Sequence, residues 1–357
     1  MIRLTEGNLL EADVEALVNT VNTVGVMGKG IALQFKQAFP HNFKLYKRAC
    51  DRGEVKLGGV FVVDLGRLTN PRYILNFPTK GHWRSRSRVE DIETGLDDLA
   101  RVSRELGIQS IAVPPLGCGN GGLEWEVVRP LIETALGDLK LEIHLYPPAG
   151  PPRATEMPVG TARPNMTRGR AALLVLADRY DDLGLGVSQL ELQKLMYVLQ
   201  EFGEDLRLDY QRAWYGPYAD NLNHVLQRIE GHFDRGFGDR TKAPHDTSPL
   251  DIDAGAVVDA EKFLADDHDL NARIDRVLEV VRGFESPYGL ELLATLHWLT
   301  VHEHVIADVH ANDVEAVLAA EVASWSERKG RLFTSPHLRT AWDQLRGGDF
   351  LKAPMPT

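Results

Sequence analysis

The chain has 357 residues, of which 43% are hydrophobic and 25% charged, with a mean hydropathy of −0.22. This length exceeds what one hydrophobic core usually organises, so two domains are expected, and the composition excludes a disordered, collagenous or membrane-spanning chain. The net charge of −11 divides unevenly: residues 1–168 carry 21 Lys and Arg against 19 Asp and Glu, whereas 169–357 carry 19 against 32, so a polyanion such as DNA is tolerated by the first part and repelled by the second. Two cysteines, Cys50 and Cys118, are too few for a disulfide framework or a four-thiolate zinc site. Met1 to Glu6 does not lead a charged segment into a long apolar run, so a reducing cytoplasm is the expected location.

In chain order, five short β-branched runs predict largely buried strands: Val14 to Asn19, Gly59 to Asp64, Tyr73 to Phe77, Gln109 to Val113 and Leu141 to Tyr146. Between them Ile31, Phe35 and Ala38, then Ile92, Leu96, Leu99, Ser103 and Leu106, fall at helical spacing. The alternation predicts a three-layer α/β domain, a mixed central sheet with helices on both faces, over residues 1–147. Residues 148–168 are rich in proline and lack apolar periodicity, which predicts an extended, semi-rigid linker. From 169 to 357 the period is 3.6: Ser188 and Glu191 form a capping box before Leu192, Leu195, Met196 and Leu199; further stripes run Leu222 to Ile229 and Ile274 to Val281; and Ser286-Pro287 opens a helix through Leu299. The second domain is expected to be mostly helical.

Two glycine-rich loops follow predicted strands. The first runs from Thr20 through Gly25, Gly28, Lys29 and Gly30 into the helix at Ile31, and the second from Pro114 through Gly117, Cys118, Gly119, Asn120, Gly121 and Gly122 to Leu123. Glycine lets backbone N–H groups approach phosphate oxygens, and a helix start adds favourable partial charge, so two such loops can grip a pyrophosphate; either alone is equally an ordinary turn. Gly117, Gly119 and Gly122, with Glu142 further on, also fit the dinucleotide fingerprint of a Rossmann dehydrogenase, but the motif comes late in its domain and leaves the other loop without a role.

The strings EGNLLEADVEALVNTVNTVGVMGKGIALQFKQAFP, NFPTKGHW and PPLGCGNGGLEW, in that order, resemble the macrodomain family, the ADP-ribose-binding fold. More narrowly they resemble the branch that holds the terminal ADP-ribose glycohydrolase and the DarG-type antitoxins. The helical remainder, with WYGPYADNLNHVLQ and RKGRLFTSPHL, resembles the second domain of those antitoxins. The resemblance implies a hydrolase that removes ADP-ribose from thymine bases of single-stranded DNA by cleaving the N-glycosidic link, and an acidic domain, 169–357, that binds and blocks the DarT toxin, an NAD-dependent DNA ADP-ribosyltransferase. It implies no required cofactor, no metal and no membrane, with ADP-ribose as product. Lys80 is implied as the catalytic residue and Asn22 as a contact of the distal ribose. The ADP-ribose site is implied at Asn8, Leu9, Leu10, Thr20, Asn22, Gly28, Lys29, Gly30, Ile31, Gly117, Cys118, Gly119, Asn120, Gly121, Gly122 and Leu123. Two departures stand out. Asn8 replaces an Asp found in many macrodomains, and Asn120-Gly121-Gly122 replaces the carboxylate that the terminal glycohydrolase carries after its G-C-G. A non-catalytic ADP-ribose reader and an ADP-ribose phosphatase or deacylase are the alternatives.

Cleavage at an anomeric carbon passes through an oxocarbenium-like state, and an amine serves there only when partly neutral, so Lys80 is expected in a site that lowers its pKa. His82, Trp83, Arg84, Arg86 and Arg88 interleave rings and cations as a strip for single-stranded DNA does; a solvated basic loop ahead of a helix is the plain alternative. Cys118 is read as a small loop residue rather than a nucleophile, and His297, His302, Glu303 and His304, which lack metalloprotease spacing, as core and helix-face residues. Between Asp246 and Asp269 eight acids accompany one Lys262, which reads either as a solvated face or as the surface that meets a cationic toxin groove.

Overall fold

The computed structural model describes residues 1–181, 184, 186–241, 248–304, 314–347 and 350–351. Two units are present: Met1–Ala162 together with Gly238–Lys242, described through Thr241, and Arg163–Phe237 with Ala243–Thr357.

The first unit is built on a six-stranded sheet. Its strands are β1 (Ile2–Leu4), β2 (Ala16–Asn22), β3 (Phe61–Asp64), β4 (Tyr73–Lys80), β5 (Ser110–Val113) and β6 (Glu142–Leu145), in the order β1-β6-β5-β2-β4-β3. All pairings are parallel except β3 with β4. Side chains alternate between the two faces, as the pleat demands. Ala16, Val18, Leu75, Phe77, Ile111 and Ile143 face α3 (Val89–Glu105) and α4 (Trp125–Leu136), while Leu17, Ile74 and Ala112 pack with Phe35 and Ala38 of α1 (Gly30–Ala38). Val21 and Met27 join Tyr46 and Ala49 of α2 (Pro40–Asp51) on the same side as a separate cluster.

The expected strands are found with shifted ends. β2 starts at Ala16, because Val14 and Glu15 lie in a bend, and runs on to Asn22, because its polar end pairs with β4 as far as Asn22↔Lys80. β1 and α2 are additional to the expected elements: β1 is a three-residue edge strand, and α2 opens on Pro40, the position where proline suits a helix. α3 lies close to β4 because Gly95 faces the Phe77 ring, where a Cβ would come within 2.4 Å of it. The proline-rich stretch lies on this unit: Gly160 N–H donates to the Gln37 carbonyl at 2.9 Å, and Met157 is buried.

The second unit is helical, as the 3.6 period predicts. α5 (Arg168–Tyr180), α6 (Gln189–Glu201), α7 (Leu222–Ile229), α8 (Ala254–Phe263), α9 (His268–Val281), α10 (Pro287–Val301), α11 (Val314–Trp325), α12 (Glu327–Leu332) and α13 (Ser335–Gly347) surround one apolar core. The Ser188–Glu191 capping box at the start of α6 is formed. Short strands accompany the helices: β7 (Val187–Ser188), β8 (Tyr210–Ala213), β9 (Gly216–Ala219), β10 (Asp234–Arg235) and β11 (Pro249–Ile252). A buried ionic cluster sits in this core: Glu291 accepts from Arg328 and Lys329, Lys329 also donates to Thr295, and fully buried Lys194 donates to the Pro217 carbonyl. Among the described residues no helix is long and apolar enough to cross a membrane.

Candidate active site

β5, β2 and β4 are neighbours, and both glycine loops and Lys80 emerge at their carboxyl ends, where open parallel sheets bind ligands. The first loop is shaped by Asn22, whose Oδ1 accepts from the Val24 and Val26 amides at 3.0 and 3.2 Å and whose Nδ2 donates to the Val26 carbonyl at 2.6 Å. The buried Tyr46 hydroxyl clamps the Asn22 carbonyl from behind at 2.6 Å. The Asn22 amide is therefore spent largely on its own loop, which leaves one Nδ2 hydrogen for a ligand. Thr23 ties this loop to β4, its N–H and hydroxyl both donating to the Gly81 carbonyl.

The second loop is compressed. Gly117 and Gly122 have φ of +72° and +76°, a region open mainly to glycine, and a Cβ on Gly121 would lie 2.2 Å from Ser87 Oγ and 2.3 Å from the Gly117 carbonyl. Consequently the amides of Gly119, Asn120 and Gly121 meet no acceptor among the described residues, although Gly119 and Asn120 are exposed. Successive unpaired N–H groups of this kind form a nest for an anion. The loops converge: a Cβ on Gly30 would come within 3.1 Å of Asn120 Nδ2.

Lys80 ends β4 between them. Its half-buried Nζ donates to the Asn120 carbonyl at 2.8 Å, and burial lowers its pKa from the ordinary 10.5. Ser87 N–H donates to the Gly121 carbonyl at 3.0 Å, so the segment from Lys80 to Ser87 is fastened to the second loop at both ends. Between those anchors the expected strip is exposed: His82 packs on Trp83 with ring centroids 5.3 Å apart, the Arg84 guanidinium lies 4.4 Å from the Trp83 ring, Arg86 is exposed with no ion pair among the described residues, and beyond Ser87 Arg88 pairs with Glu90 at 3.4 Å.

The remaining implied positions differ in what they can offer. Leu9 and Leu10 bury their side chains with Leu17 and Phe35, so only their backbone is available to a ligand. Asn8 caps that turn through Oδ1 and donates from Nδ2 to the Glu156 carbonyl at 3.1 Å. Thr20, Gly28 and Ile31 are partly exposed and Lys29 fully so, at the mouth of the first loop; Leu123 is partly buried against the core. Burial raises the Cys118 thiol to about 11, the opposite of what a nucleophile needs. His297 is a core residue with both ring nitrogens in use, Nδ1 with the Tyr197 hydroxyl and Nε2 with the Phe350 carbonyl, although Glu201 and His302 stand beside it. Sequence reasoning missed Tyr46, Thr23 and Ser87. Only Tyr46 left a signal, as the inward residue of the helix that Pro40 opens.

The six-stranded mixed sheet flanked by helices, with two glycine loops and a lysine at its carboxyl edge, is a macrodomain, and the Macro domain family matches residues 18–132. A DNA ADP-ribosyl glycohydrolase of Thermus aquaticus is 50% identical over 97% of this chain and 93% of its own length, and one of Mycobacterium tuberculosis is 45% identical over 97% and 99%. A DNA ADP-ribosyl transferase-DNA ADP-ribosyl glycohydrolase fusion protein of Thermosipho africanus is 36% identical over 41% of this chain and 42% of its own. The chain belongs to the DNA ADP-ribosyl glycohydrolase family, and by that membership is a hydrolase.

Proposed function

We propose that this enzyme removes ADP-ribose from thymine bases of single-stranded DNA and thereby acts as the antitoxin to a DNA ADP-ribosyltransferase of the DarT kind. The observation that carries the reading is the Lys80 amine, desolvated yet held by the Asn120 carbonyl beside three free loop amides. The amides of Gly119, Asn120 and Gly121 and the start of α1 at Gly30 take the diphosphate between them, and the mouth of the first loop takes the distal ribose. The neutral amine lone pair attacks the anomeric carbon while the bond to the thymine nitrogen breaks; that nitrogen takes the proton that the new ammonium loses, and water then displaces the lysine nitrogen from the same carbon, giving free ADP-ribose and restoring the amine. The strip from His82 to Arg88 stacks and tracks the unpaired strand. The acidic domain, 169–357, is read as the part that blocks the toxin, and the Thermosipho fusion of transferase with glycohydrolase supports that pairing.

The test is release of free ADP-ribose from a modified thymine oligonucleotide. Lys80→Ala is expected to slow turnover by about 100-fold or more while ADP-ribose still binds. Unimpaired turnover removes Lys80 from the mechanism, and release of phosphate in place of ADP-ribose replaces the reading by a phosphatase.

A further inference from the structure

The start of α1 is occupied by a distant part of the chain. Gly30 N–H donates to the Asp239 carbonyl at 2.8 Å, and Gln34, one turn on, donates from Nε2 to Asp239 Oδ2 at 2.7 Å across 205 positions of sequence. Both side chains are buried, and the other carboxylate oxygen accepts from the amide and hydroxyl of Thr241 at 3.0 and 2.6 Å. Thr241 Cγ2 would lie 3.7 Å from a Cβ on Gly30, the same point that Asn120 of the second loop reaches at 3.1 Å. The segment also carries strain at one residue: Arg240, which has a Cβ, has φ +63°, whereas Gly238 takes φ +61° freely.

A helix start offers N–H groups and positive partial charge, and it favours an anion. Here the Asp239 carbonyl takes the first amide of α1, with the Asp239 carboxylate held beside it by Gln34 and Thr241, at the rim where the two glycine loops meet. We propose that Gly238–Thr241 is an internal stand-in for the nucleotide diphosphate, which competes with it for the start of α1 and is displaced when an ADP-ribosyl group binds. The inference rests on the ADP-ribose reading above. Gly30 has one proton to donate, and a second anion beside Asp239 is repelled, so segment and diphosphate exclude one another. Release would also end the strain at Arg240. Chain continuity would pass it to Phe237, whose amide Glu230 now holds at 3.1 Å.

The experiment uses the full chain with ADP-ribose as probe. Asp239→Ala and Gln34→Ala are expected to bind ADP-ribose about threefold to tenfold more tightly than the parent, because the competitor is gone. In the unsubstituted protein, saturating ADP-ribose should raise hydrogen exchange across 236–241; that measurement stands even if a variant folds poorly. Unchanged or weaker binding by the variants, or exchange that ADP-ribose leaves alone or slows, overturns the stand-in while leaving the ligand reading intact. If neither the parent nor Asp239→Ala binds ADP-ribose, the ligand reading fails and takes the stand-in with it.

Discussion

The amine of Lys80 is governed by two opposed influences: burial disfavours its charge, and the Asn120 carbonyl favours it. Burial prevails, so the neutral, attacking form becomes abundant at lower pH than for a solvated lysine. Single-turnover rates across about pH 6 to 10 should therefore climb with pH, with an inflection below the ordinary lysine value, and the limb should vanish in Lys80→Arg. Gly121 has a different vulnerability. A methyl there meets a hydroxyl and a backbone carbonyl at once, and truncating Ser87 relieves only the first, so Gly121→Ala should cost about tenfold or more in ADP-ribose affinity, by calorimetry, even in a Ser87→Gly background. The second glycine loop was readable in advance because its glycines cluster within a few positions, whereas Lys80 stood out only through the family motif it sits in, since a lysine by itself reads as a solvated side chain. The resemblance implied Asn22 as a ligand contact, but its part as a loop brace was not readable, since its partners are backbone groups whose position only the folded loop defines. Asp239 was not readable at all, because nothing local at 239 speaks of Gly30.

Among the elements, the strands were legible because buried parallel strands are continuous β-branched runs, and the helices of the second unit because their stripes keep one period. β1 escaped because three residues carry no period, and α2 because its polar residues dilute its apolar face. The least legible feature is Lys194 inside α6, a charge on what reads as an apolar helix. Burial, with Lys329 nearby, pushes it down to about 7, while in the unfolded chain it titrates near 10.5. Between those values the unfolded chain holds more protons than the fold, so this lysine destabilises fully below about pH 7 and progressively less as pH rises. Lys194→Met should accordingly stabilise by about 1 kcal/mol or more near pH 6, and the gain should shrink toward pH 9 in denaturant titrations.

At the scale of the whole molecule, part of the acidic excess is structural. Asp253 and Asp267 cap α8 and α9, Asp259 pairs with Arg163, and Asp269 with Arg273, so half of the run that looked like one binding face is structural; Asp246 lies outside the described residues. Glu261 and Asp266 are exposed and take no part in a cap or ion pair among the described residues. Reversing both to Lys should slow association with a basic partner such as the toxin several-fold in stopped flow, with the melting temperature nearly unchanged, whereas Asp267→Lys should lower it. An association rate that ignores the reversal places the toxin contact elsewhere.

The double fastening of Lys80 and Ser87 to the second loop fixes the arch between them as a short ruler from the Lys80 amine to the Trp83 indole. Neighbouring bases in a helix are locked into stacks and pairs, and so cannot reach such a ruler at both marks. A nucleotide swung out of its stack can, so on the function proposed above this spacing selects an unpaired strand over a duplex.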